Sequence, residues 1–154
     1  MTTSLAGCSG GEGSGSSVGG EDIDSSAEEL VFSLNDFEGT GWSRADEEID
    51  GNMARREFRN QNDGTQIYAT VWYYESVSEA ENKYQELNDE ATGTFRTESR
   101  DVGTEAFVYE SVGAEVVFRE VNVVAQVEHY RLETSQSIET ATEYANRLRN
   151  QWRS

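Results

Sequence analysis

Between Asp46 and Glu57 the carboxylates Asp46, Glu48, Asp50 and Glu57 fall at the first, third, fifth and twelfth places of one stretch, with Gly51 at the sixth. That is close to the spacing by which oxygen ligands surround a calcium ion. Such a loop needs a helix on each side, whereas Gly39 and Gly41 precede this one and strand-like residues follow it. Glu48 also stands where Asp or Asn is usual, and Asp50-Gly51 is a hairpin turn signal. The expectation is a turn, with no metal site and no cofactor. His129 is the only histidine, and zinc would need further strong ligands. As a general base it would need a nucleophile and an orienting carboxylate nearby. Its neighbours Glu128 and Tyr130 point to the opposite face if the segment is a strand, so a histidine on a sheet face is expected. A surface hydrolase using His129 and nearby carboxylates is the competing reading. Adjacent pairs such as Glu28-Glu29 and Glu47-Glu48 read as solvated charge.

The elements that position these residues follow from periodicity. Ser26–Leu34 reads as a short helix with acidic residues in its first turn. Apolar residues alternate or run through Met53–Arg59 and Gln66–Tyr74, which predicts strands. A helix follows with Val77, Ala80, Tyr84, Leu87 and Ala91 on one face and a capping box at Ser78 and Glu81. Strands are expected again at Glu105–Glu110, Glu115–Arg119 and Asn122–Tyr130. A last helix puts Ile138, Ala141, Ala145, Leu148 and Trp152 on one face, at the same spacing as the first set.

The segment Ile67–Tyr74 aligns with Val123–Tyr130, and Ala54–Arg59 aligns with Ala114–Arg119. Two strands and a helix in matching order predict an internal strand-strand-helix duplication. The expected fold is α+β: one antiparallel sheet of about six strands with both main helices on one face, plus the short N-terminal helix. On Ile67–Tyr74, Tyr68, Trp72 and Tyr74 lie on one face and Tyr73 on the other. The aromatic face turned from the helices is then either a surface for a ligand or partner or is closed by the segment Leu30–Trp42.

Thirty Asp and Glu stand against twelve basic residues, of which only Lys83 is lysine, and the formal charge is -18. Three Trp, seven Tyr and six Phe argue against a disordered acidic chain. Arg55, Arg56 and Arg59 form the one local basic cluster, with Glu57 inside it, so no nucleic-acid partner is expected. A charge of this size repels itself, but at about 1 M salt the screening length falls to about 3 Å. The unfolding temperature is therefore expected to rise as potassium chloride increases from about 0.1 M to above about 1 M. A flat or falling curve in calorimetry would remove the salt-adaptation reading.

Leu5-Ala6-Gly7-Cys8 resembles the lipobox of exported lipoproteins, in which cleavage precedes a cysteine that carries lipid. Cys8 is the only cysteine, and the Gly/Ser-rich run after it would stay flexible. About sixteen such residues reach roughly 20–25 Å by random-coil scaling. Residues 1–24 are thus expected to be a lipobox remnant and tether, and residues 25–154 a single domain. A full signal needs a basic segment and an apolar stretch before the cleavage site, and Met1-Thr2-Thr3-Ser4 supplies neither; either the natural start lies upstream or the chain has been shortened. The Arg-for-Lys usage and the absence of Pro resemble proteins of halophilic archaea. Together with Gly41-Trp42, Glu105-Ala106-Phe107 and the hairpin Val116–Val124, they make the chain similar to small haloarchaeal lipoproteins with loosely PsbP-like or Mog1-like domains. The resemblance implies lipidation at Cys8 and an extracytoplasmic, membrane-anchored place. It carries over no other functional residue. The expected role is a binding or accessory module, not an enzyme, for a small ligand or an envelope protein; a structural envelope component is the remaining alternative.

Overall fold

The computed structural model describes residues 20–131 and 137–154. Cys8 and most of the expected tether lie outside them. The fold is α+β. Its elements are α1 (Ala27–Leu30), a 3-10 turn (Leu34–Asp36), β1 (Trp42–Asp50), β2 (Met53–Asn60), β3 (Thr65–Tyr73), α2 (Val77–Thr94), β4 (Glu98–Ser99), β5 (Glu105–Glu110), β6 (Ala114–Glu120), β7 (Val123–Arg131) and α3 (Ile138–Trp152). The strands form one antiparallel sheet in the order β1-β2-β3-β7-β6-β5-β4. Among the described residues no helix is long and apolar enough to cross a membrane.

Two strands beyond the expected set are present, and one of them rewrites the candidate calcium loop. Asp46–Asp50 belongs to β1, which turns through Gly51-Asn52 into β2, with Asp50 opposite Met53 and Asp46 opposite Glu57. Gly51 has φ +57, a conformation that costs glycine little. The hairpin keeps the carboxylates extended along a ladder, so they do not wrap around a point. The helix starts hold as read, with one shift: α2 is capped by Ser76, whose hydroxyl accepts from the Glu79 amide, and not by Ser78.

The two main helices lie on opposite faces of the sheet, which corrects the expected placement on one face. Ala141, Ala145 and Leu148 of α3 pack with Val116, Phe118, Val123, Ala125, Ile67 and Val71. Ala80, Tyr84 and Ala91 of α2 pack with Phe107, Val117 and Val124. Val116 and Val117, or Val123 and Val124, are sequence neighbours and so point to opposite faces. The strand-strand-helix duplication fails with this. In the middle of the sheet β3 and β7 are antiparallel neighbours, with Thr70 opposite Gln126 and the aligned residues Ala69 and Ala125 paired with Val127 and Val71. A two-fold axis relating such strands stands perpendicular to the sheet and preserves its faces. Helices following equivalent strands would share a face; these do not. The likeness is confined to the strands.

The N-terminal segment also joins the α3 face. Ile23, Ala27, Leu30, Val31, Phe32 and Phe37 are buried in the same core as α3, and the indole of Trp152 donates to the Leu30 carbonyl (2.8 Å). Asn122, 1 % exposed, holds the segment like a short strand. Its side-chain oxygen accepts from the Ile23 amide (2.8 Å), and its amide nitrogen donates to the carbonyls of Ile23 (2.9 Å) and Tyr74 (2.8 Å). The α3 face is thus covered over β2, β3, β7 and β6, while Ile49 of β1, opposite the buried Ala54, stays exposed at its edge. On the other face α2 covers β5, β6 and β7, and the part over β1, β2 and β3 has no helix on it.

Candidate functional site

That uncovered strip carries a cleft of about 340 Å³ lined by Glu48, Met53, Arg55, Tyr68, Thr70, Trp72, Gln126 and Glu128. Strand alternation places all of them on the α2 face. Glu48 is opposite Arg55 between β1 and β2, Arg55 opposite Thr70 between β2 and β3, and Tyr68 opposite Glu128 between β3 and β7. Of the aromatic set Tyr68, Trp72 and Tyr74, the first two therefore line open surface, while Tyr74 packs against the α2 cluster. The segment Leu30–Trp42, the alternative cover, sits behind the sheet. At the rim the Lys83 ammonium of α2 stands 5.0 Å from the Trp72 ring centre, and the Arg55 guanidinium 5.9 Å from that of Tyr68.

Behind the cleft is a polar network that the sequence did not reveal. Glu115 on β6 lies directly opposite Glu128 on β7, a like-charged pair that destabilises a sheet. Glu115 has its oxygens satisfied by hydrogen bonds: Gln126 Nε2 and Ser111 Oγ each donate to it at 2.5 Å, and the Tyr109 hydroxyl donates as well. Burial first, and then its bond to Glu115, drives the Tyr109 hydroxyl well above its ordinary pKa, so it remains a donor. Glu128 receives no comparable support; among the described residues it takes neither an ion pair nor a side-chain hydrogen bond. The backbone closes over it at Gly113, where an added Cβ would stand 2.6 Å from Glu128 Oε1. Burial, and secondarily the charge of Glu115, push the Glu128 carboxyl up to about 7, against a smaller lowering by Arg55.

This state has a consequence for stability. Because the folded pKa of Glu128 lies above its unfolded value, the stabilisation it gives is complete below about pH 4.5 and is lost as pH rises through about 7. Glu128→Gln, neutral throughout, is therefore expected to gain stability relative to the native chain across that interval and to hold the gain above it. Urea unfolding at several pH values checks this. A difference that does not change with pH would show that the carboxylate is hydrated and unstrained.

The remaining candidates are dispersed. His129 is 5 % exposed on the α3 face, where the Ser137 amide donates to its Nδ1 (3.4 Å). Burial lowers its pKa, with Arg131 acting in the same direction and Asp63 against it. Glu128, its neighbour, is on the other side of the sheet, so the two do not meet. Arg56 is buried on the α3 face against Glu47 (2.5 Å) and the Phe32 carbonyl (3.0 Å). Arg59 pairs with Glu57 (2.5 Å) on the α2 face. The basic cluster is thereby split between two faces. Among the described residues no three His, Cys, Asp or Glu side chains gather as a metal site would require. Comparison with protein-family models, with curated proteins and with solved structures gave no match.

Proposed function

We propose that the chain is a membrane-anchored extracytoplasmic lipoprotein whose domain is a binding or accessory module, with the cleft over β2 and β3 as its binding site. The observation that carries the reading is Glu128. A half-buried carboxylate set opposite another, with no partner and facing a cleft with aromatic walls, costs the fold stability. Such departures from local consistency are found where a ligand supplies the missing partner. The sealed position of His129 supports this reading over the hydrolase one, because a general base must reach its substrate.

Amide shift mapping of the isotope-labelled domain against a panel of small polar molecules tests it. Perturbations centred on Thr70, Trp72, Gln126 and Glu128 are expected. Ligands that map instead to the α3 face or to the loops would displace the site. The anchor is tested separately: with a complete export signal restored upstream, mass spectrometry of the membrane fraction should find the mature chain beginning at a lipid-bearing Cys8. An unmodified Cys8 in the mature native protein would refute the anchor and leave the cleft untouched.

A further inference from the structure

Resting on the cleft as the binding site, we propose that its ligand is a small organic ammonium cation, held between the Trp72 and Tyr68 rings and the carboxylates of Glu128 and Glu48. Charge is the first support. The α2 face of β1 presents Asp46, Glu48 and Asp50, which are opposite Glu57, Arg55 and Met53. Of the three cations at this part of the face, Arg59 is engaged by Glu57, Lys83 at the rim by Glu86, and Arg55 lies over Tyr68. The strip is net acidic, and an anionic ligand would be repelled from it.

The second support is the kind of contact already made there. Lys83 stands over Trp72 and Arg55 over Tyr68, so each ring of the cleft already attracts a cation through its electron-rich face. A methylated ammonium adds apolar surface that Met53 and Trp72 can cover. The third support excludes the inorganic alternative. A divalent ion needs several oxygen ligands converging on one point, and these carboxylates are spread along strands. An organic cation needs only one or two carboxylates beside aromatic faces, which is what is present. A volume of about 340 Å³ is near the lower end for ligand pockets and fits a small molecule.

Recognition by charge makes binding depend on pH through Glu128. The groups facing it are Glu115 on β6, Tyr109 on β5, Arg55 and Glu57 on β2, Tyr68 on β3 and Glu48 on β1. Of these, Arg55 favours its ionised form and Glu115 opposes it. A bound cation adds to Arg55, so binding should release a proton near neutrality.

The test is calorimetric titration of the domain with choline chloride and with its neutral isostere 3,3-dimethylbutan-1-ol. It is run in about 1 M potassium chloride, where attraction to the overall charge is screened and only contact recognition survives. At pH about 8.5, choline should bind with one-to-one stoichiometry and the isostere at least about tenfold more weakly. Glu128→Gln should weaken choline about tenfold, as should lowering the pH to about 5.5 for the native chain. Glu143→Gln, an exposed change on α3, should leave binding unchanged. Each variant is first shown to unfold at a temperature no lower than that of the native chain. Equal affinity for the isostere, an unchanged Glu128→Gln, or no choline binding up to about 50 mM would overturn the ammonium assignment. If the isostere binds equally well and shifts the amides of Thr70 and Gln126, the cleft itself stands as the binding site; shifts elsewhere remove both.

Discussion

Replacing both Arg149 and Arg153 by alanine is expected to destabilise the fold by about 3–5 kcal/mol, the cost of leaving a buried charge without its partners. The charge is that of Glu120, the last residue of β6, whose side chain is only 6 % exposed. Its Oε1 accepts from Arg153 Nη2 (2.5 Å) and Nε (2.8 Å), and its Oε2 accepts from Arg149 Nε (3.2 Å). The arginines belong to the end of α3, so these bonds fasten the last turn of the helix to the sheet. Arg153 also donates to the Glu21 carbonyl (3.4 Å), which ties in the N-terminal segment. Glu120→Ala should cost less than the double arginine change. The two guanidinium groups are each about a third exposed and can turn to water, whereas the carboxylate cannot. Removing all three should restore part of the loss, because no charge is then left buried. The double change also makes an acidic chain two charges more negative. Repeating the measurement in about 1 M potassium chloride separates that general repulsion, which salt removes, from the local term, which burial protects. A deficit that vanishes in salt would show that the pair acts through net charge alone.

The sequence carried most of the element order because periodicity reports burial. Ala141, Ala145 and Leu148 are fully buried and stand where the spacing put them. Strand β1 escaped notice for the same reason: almost all of it is exposed, it reads Trp-Ser-Arg-Ala-Asp-Glu-Glu-Ile-Asp, and its only local sign was the turn at Asp50-Gly51. Charged edges of this kind discourage pairing with other chains, and they leave no apolar alternation to detect. The face chosen by each helix was illegible for a different reason. Helical spacing shows that a helix has an apolar side, but not which side of a sheet it will cover. The polar interruptions on the α2 face, Gln126, Glu128 and Glu115, were the available hint that this face could not take a second fully buried helix.

The site was legible in part. Tyr68 and Trp72 were assigned to a common face by alternation alone, and the structure leaves that face open over β2 and β3. The Glu115–Glu128 pair was missed, although it follows from a two-residue turn at Val121-Asn122, which sets Glu120 opposite Val123 and, five residues back along each strand, Glu115 opposite Glu128. Val-Asn is a poor signal for such a turn. Val121 adopts φ +52, a conformation unfavourable for a β-branched residue. Three contacts hold it there: the Thr104 hydroxyl accepts from its amide (3.3 Å), Arg119 donates to its carbonyl (2.8 Å), and Asn122 is locked beside it. Tertiary bonds thus override the local preference, and the register they impose sets the two carboxylates together.

The unequal faces give the second large effect, measured on two leucines that equal helical spacing would treat alike. Leu148→Ala is expected to cost about 3–5 kcal/mol, and Leu87→Ala about 1 kcal/mol. Leu148 is fully buried in the large core, beneath α3 and among apolar side chains from β6 and β7, and a cavity there has little freedom to collapse. Leu87 is only partly buried, packed at the border of the smaller cluster formed by Tyr84, Phe107 and Val117. Water can reach what its truncation leaves, so only part of the transfer free energy is lost. The ratio between the two is the informative quantity, because it reports how differently the sheet faces are covered while the chemistry of the change is held fixed. Urea denaturation of both variants in about 1 M potassium chloride, where charge repulsion is screened, supplies it. Equal losses would mean that α2 seals its face as completely as α3 does. In that case the border that Leu87 and Trp72 form around the smaller cluster would be core and not a rim that water or a ligand can reach.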